Sequence, residues 1–270
     1  MIIKVRNRIL LCLTMLSITI LVASALFAGI KIYYGINDFP YDFSVKVSKF
    51  FFLTPTVYST ISSVFILLIY VITSLFYISV QFEKTQSSEI IYFSLFLFSL
   101  LFEFVRIFIP CLNLYDSYSR ITSIISRLVL FSHVLSPLSL LYISIQNLPE
   151  HRQNVERNLT ILLIISAMIS VTVPLDSEKM TLTCRLKFGF ESEFLIFWGL
   201  FTLITFISLL QNNFSENSKS KMPLGFLLLA FGYKILCTTP VLISILAGTV
   251  LLITGTVIFL KELHKKYLWD

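Results

Sequence analysis

Glu103 and Arg106 stand three residues apart in LFEFVRIFIP (101–110), a stretch otherwise apolar enough to sit in a bilayer. A charge at membrane depth costs roughly 2.5–3.5 kcal/mol on insertion scales, so something must offset it. Arg127, His133 and Lys234 interrupt other apolar runs in the same way. These residue types define a chemistry. Two guanidinium forks and an ammonium can hold a carboxylate, a phosphate or an acidic lipid headgroup. Glu103 would hold one arginine in place, and His133 could add pH sensitivity. One carboxylate against three cations leaves an excess of about two positive charges in a low-dielectric layer, which is costly. A small anion, or an acidic residue on a partner helix, would relieve it. The plainer alternative is an ion-pair set that only fixes helix packing, with Arg106 and Lys234 snorkelling towards headgroups and His133 a hydrogen-bonded packing residue.

The elements that must position these groups follow from composition. Of 270 residues, 56% are hydrophobic and 13% charged, about half the charge of a soluble domain. Most of such a chain must be solvated by lipid, which implies an all-α integral membrane protein, a polytopic helical bundle forming a single domain. Apolar runs place spans at about 9–30, 56–80, 90–112, 121–146, 158–174, 192–211, 223–239 and 241–261. Residues 223–261 are too long for one helix, and CTTP (237–240) marks the break. With eight spans and the N-terminus inside, eleven Lys and Arg lie inside, seven outside and three within spans. A single span there would put the closing KELHKK outside, against the positive-inside rule. Both termini are therefore expected in the cytoplasm, in a cell (inner) membrane. The alternative is a cleaved signal peptide ending near Ala23-Ser24-Ala25, which would leave seven spans; the long apolar run favours a retained anchor. The high Phe count (26) beside only 8 Gly fits helices without extensive small-residue packing.

On this topology Arg106, Arg127 and Lys234 each lie about 9 Å below the outer boundary, Glu103 about 13 Å and His133 about 18 Å. The third and fourth spans are joined by only about eight residues and should be antiparallel neighbours. The breaks carry less pattern. Residues 43–54 (FSVKVSKFFFLT) should lie along the outer interface. In MTLTCRLKFGF (180–190), Met180, Leu182, Cys184, Leu186, Phe188 and Phe190 alternate, which predicts an extended strand laid over the bundle. The loop 211–222 reads as a polar tether. NLT (158–160) and NFS (213–215) match glycosylation acceptors but fall on the inner side.

Three cysteines, Cys111, Cys184 and Cys237, fall at the outer side, where a disulfide between two of them is open. Joining Cys111 or Cys237 to Arg127 and His133 would make a membrane-embedded cysteine hydrolase, but no Gly-rich or strained turn precedes either cysteine. The chain therefore reads as a non-enzyme with no catalytic residues. No zinc-type cysteine spacing, Walker loop or H-E-x-x-H occurs, so neither metal nor cofactor is expected. The net charge of +6 flanks apolar segments, which points to anionic lipid and excludes nucleic acid as a partner. Three function classes remain. A receptor- or sensor-like module would bind an anionic ligand or lipid in an outer-half cavity built from Glu103, Arg106, Arg127, His133 and Lys234. A scaffold subunit would pair those charges with another membrane protein, and a small-solute transporter would place them nearer the midplane and show an internal repeat. A cytoplasmic or membrane protein partner could dock on the basic tail, 261–270.

Overall fold

In a computed structural model, residues 3–36, 54–83, 85, 87–115, 120–145, 154–215 and 220–268 are described. The interfacial segment expected at 43–54 lies, but for Thr54, outside them, as do the last two residues of the tail. Helices cover all eight apolar runs. They are α1 (Ile3–Tyr34), α2 (Val57–Gln81), α3 (Ser88–Cys111), α4 (Arg120–Ile145), α5 (Val155–Thr172), α6 (Glu191–Ser215), α7 (Met222–Thr238) and α8 (Leu242–Leu268). All but α7 are long and apolar enough to cross a membrane. Between α5 and α6 stands an antiparallel hairpin, β1 (Leu175–Thr181) and β2 (Arg185–Phe188). NLT and NFS both fall within helices.

The core sits around α2, α3 and α4, which are mostly buried, whereas α1, α5 and α6 expose most of their apolar faces. α3 packs on α4, as the short connection predicts. Leu97, Leu100, Leu130 and Val134 lie fully buried between them.

The closest helix pair is α7 and α8, and glycine is the reason. Gly225 and Gly232 on α7, and Gly248 and Gly255 on α8, are each seven residues apart. A Cβ on Gly232 would stand 2.5 Å from the backbone nitrogen of Leu252, and one on Gly255 would stand 2.5 Å from that of Leu229. Backbone therefore meets backbone at both levels, as small residues permit in lipid. The expectation of little small-residue packing fails here: half of the eight glycines serve one contact.

Three arginines tie the bundle together by the same device. The last carbonyls of a helix have no intrahelical donor, and a cation there also complements the macrodipole. Arg6 donates to the carbonyls of Phe82 (2.5 Å), Glu83 (3.2 Å) and Thr85 at the end of α2. Arg106 donates to the Cys237 carbonyl at the end of α7 (3.2 Å). Arg127 donates to the Ser170 carbonyl at 2.9 Å and to that of Val171, in the last turn of α5. At the start of α2, Thr56 and Ser59 form a reciprocal capping box, and the Ser59 hydroxyl also reaches the Pro240 carbonyl in the α7–α8 link.

The extended segment expected over 180–190 is a hairpin. Its register pairs Leu175 with Phe188, Asp176 with Lys187, Met180 with Leu186 and Thr181 with Arg185. The turn is closed by the Cys184 amide on the Thr181 carbonyl (3.1 Å), with Cys184 in the left-handed region at φ 55°. Leu186 donates its amide to the Ser126 hydroxyl of α4 (2.9 Å), and the Thr60 hydroxyl of α2 donates to the Leu182 carbonyl (3.2 Å). The hairpin is thereby fastened across one end of the bundle, hereafter the hairpin end. Phe190, expected inward, is half exposed.

Candidate functional site

The segment that raised the question is locally distorted. Residues Phe102–Ile107 of α3 tighten into a 3-10 helix. Pro110 supplies the cause, since it has no amide for the Arg106 carbonyl and its ring crowds that carbonyl. In 3-10 geometry, side chains at i and i+3 eclipse. Glu103 and Arg106 therefore stack directly: Arg106 Nε lies 2.9 Å from Glu103 Oε2, with both side chains 1% exposed. His133 of α4 brings Nε2 to 3.4 Å from Glu103 Oε1. Ser132, Ser136 and Tyr233 place further buried hydroxyls in this polar layer.

Of the five sequence-predicted residues, Glu103, Arg106 and His133 come together. Lys234 stands nearby, with its Nζ 5.2 Å from the centroid of the Trp198 ring on α6. Arg127 does not join them; its guanidinium turns to the end of α5. Arg185 takes its place. Strand alternation had put Arg185 on the solvent side, but the left-handed turn at Cys184 resets the alternation and buries it to 6% exposure. Its guanidinium lies 4.1 Å over the Phe188 ring and donates from Nη2 to Glu191 Oε1 at 2.8 Å. Burial lowers the Arg185 pKa from its ordinary value, and the Glu191 contact opposes this. Next to it, burial pushes the Cys184 thiol up to about 12. Cys12, Cys111, Cys184 and Cys237 are all free thiols.

At the hairpin end these groups bound a cavity of about 440 Å³, within the range of small-ligand sites. His133, Trp198 and Lys234 line it, together with Arg185, Phe188 and Glu191. Trp198, Lys187, Glu191 and Glu193 carried no sequence signal as site residues, because nothing marks which loop faces which helix. Charge sorts simply. Glu103 and Arg106 neutralise each other, Arg185 and Glu191 do the same, and Lys234 has no ion pair among the described residues. The buried excess is thus about one positive charge, smaller than the two expected when Arg127 was included.

One trio was not legible in the spacing: ligand atoms of Glu103, His133 and Cys237 lie within 4.8 Å of one another, as metal donors would. The surroundings oppose a cation. Arg106 already occupies the carboxylate, and Lys234 and Arg185 add positive charge against His133. The same field favours an anion.

The fold and site describe an all-α helical bundle with, among the described residues, seven helices fit to cross a membrane and a polar cavity at one end. Comparison with known proteins adds no closer relation: no family model, no curated protein and no solved structure matches the chain.

Proposed function

We propose that the chain is a receptor- or sensor-like membrane module that binds a small anionic ligand in the cavity at the hairpin end. The observation that carries this reading is Lys234: a half-buried ammonium lining a 440 Å³ cavity, facing an aromatic ring and in no ion pair among the described residues. Binding is favoured over passage by what lies beneath. Phe96, Leu97, Leu100, Phe226 and Leu229 are buried to 1% exposure or less, a close-packed layer below the polar one. In this reading Glu103, Arg106 and His133 form a rigid floor rather than a ligand fork.

The topology that accompanies the proposal has eight crossings. α7 has 17 residues, about 25 Å at 1.5 Å per residue, and its glycine contact with α8 makes the pair one hairpin through the membrane. The positive-inside rule then puts both termini in the cytoplasm of a cell membrane and the cavity outside. Lys261, Lys265 and Lys266 at the end of α8 would face the cytoplasm, where a separate partner could read ligand occupancy.

The test is thermal stability of the detergent-purified protein across small carboxylates and phosphate. A ligand at 100 times its dissociation constant adds about 2.7 kcal/mol. Stabilisation of the wild type that Lys234→Met abolishes supports the proposal. A stabilisation unchanged in Lys234→Met places the anion elsewhere and defeats it.

A further inference from the structure

We propose that the bundle holds one anionic phospholipid at the end opposite the hairpin, with an acyl chain in a groove between α2 and α8 and its phosphate at Lys261. This site is separate from the anion cavity and does not depend on it. On α2 the groove is lined by Tyr70, Thr73, Ser74 and Tyr77, at i, i+3, i+4 and i+7. Ile253, Thr256, Val257 and Leu260 repeat that spacing on α8, so one face of each helix borders a space of about 220 Å³. Its floor, Tyr70, Ser74, Thr256 and Leu260, is buried to 6% exposure or less. Its rims are open: Tyr77 is 44% exposed, Ile253 50% and Val257 57%. The groove therefore opens on the outer surface of the bundle, which lipid covers in a membrane.

Shape, polarity and depth select a hydrocarbon chain. The space is smaller than most drug-sized sites and is drawn out over seven residues, about 10.5 Å of helix. The hydroxyls along it are already engaged. Tyr70 lies 2.7 Å from Thr256 Oγ1, Thr256 donates to the Leu252 carbonyl, and Thr73 donates to the carbonyls of Ile69 and Tyr70. A polar occupant gains little from such a floor. Tyr70 precedes Gln81, the last residue of α2, by about 16.5 Å of helix, close to the middle of a core about 30 Å thick. Tyr77 is about 6 Å from the same end, at the level where tyrosines meet the interface. The groove thus spans the chain region of one leaflet.

Charge selects the headgroup. Lys261 follows Leu260 directly and is the i+4 neighbour of Val257, one turn below the exposed rim of α8. It is exposed and has no ion pair among the described residues, whereas Lys265 is paired with Glu262 at 3.0 Å. A lysine at this level lays its stem along apolar surface and carries its ammonium to the height of lipid phosphates.

Native mass spectrometry of the full chain in detergent, titrated with phosphatidylglycerol and with phosphatidylcholine of the same acyl chains, tests both halves. The wild type should retain one phosphatidylglycerol, held about fivefold more tightly than phosphatidylcholine, the effect of one lysine at an anionic surface. Lys261→Gln should level the two lipids. Val257→Trp sets a ring at the exposed rim and should weaken both lipids while leaving thermal stability unchanged. Equal affinity of the wild type for the two lipids, or a preference that survives Lys261→Gln, overturns the phosphate contact and with it the proposal. Retention that Val257→Trp leaves untouched overturns the groove as the seat of the chain, and the absence of a retained lipid defeats both halves.

Discussion

Replacing Glu103 by Gln should be among the most damaging single changes in the chain, and the geometry fixes the scale. Arg106 is 1% exposed, pairs with Glu103 with its Nε 2.9 Å from Oε2, and donates one hydrogen bond to the Cys237 carbonyl at 3.2 Å. At an effective dielectric of about 20, unit charges about 2.9 Å apart interact by roughly 6 kcal/mol, an upper figure for this contact. The Gln amide oxygen recovers part of this as a charge-assisted hydrogen bond, about 1.5–3 kcal/mol. The net loss is about 3–4 kcal/mol, in line with the cost of breaking a buried pair. At about 2–4 °C per kcal/mol that lowers Tm by about 6–16 °C. The double variant Glu103→Gln/Arg106→Met removes the stranded charge along with its partner, and should recover at least half of the loss. Thermal unfolding in one detergent, followed by circular dichroism for wild type, both single variants and the double, makes the measurement. A Glu103→Gln loss below about 1 kcal/mol, or a double variant worse than either single, would refute the buried-pair reasoning.

Other expectations can be checked on the same preparation. Gly232→Ala and Gly255→Ala force a Cβ to within 2.5 Å of backbone on the facing helix and should each cost about 2 kcal/mol, while Gly199→Ala, with nothing within 4 Å, should be neutral or gain up to about 1 kcal/mol from helix propensity. Arg127→Ala uncaps α5 and should cost about 1 kcal/mol in stability without altering any ligand response of the cavity; loss of that response would return Arg127 to the site. In a Cys12→Ser variant the three remaining thiols are buried, and maleimide at neutral pH should leave them unlabelled until the protein unfolds. The Cys184 thiol, raised from an ordinary 9.0 to about 12, ionises less readily folded than unfolded. Its contribution is therefore intact below pH 9 and lost as pH rises towards 12, by up to about 1.4 kcal/mol per pH unit. Stability measured from pH 8 to 10 should fall more steeply in wild type than in Cys184→Ala.

How far the sequence carried this picture depended on the kind of signal. Helix length and apolarity are local, so the apolar runs and the break at CTTP could be read directly. The Glu103–Arg106 contact was also local, an i, i+3 pair ahead of a proline. Its alliance with His133 could be read once α3 and α4 were taken as neighbours. Arg127 misled because depth alone was used to group charges. A layer does not say which way a side chain turns around its helix, and the open carbonyls ending α5 were nearer. Arg185 was hidden by one residue, Cys184, whose left-handed backbone breaks a period-two pattern that otherwise looked continuous. The glycine pairing of α7 and α8 was present as two matching seven-residue spacings, but a low total count drew attention away from where the glycines fell.

Trp198 offers the most direct test of the central claim. The chain has two tryptophans, and Trp269→Phe leaves Trp198 as the sole reporter, 5.2 Å from Lys234 Nζ in the cavity wall. Titrating that variant with small carboxylates should change its emission saturably, because an anion that engages Lys234 draws the ammonium from the ring, and Lys234→Met should abolish the change. Emission that stays flat across the panel, or a saturable response that survives Lys234→Met, would contradict the assignment of this cavity as an anion site.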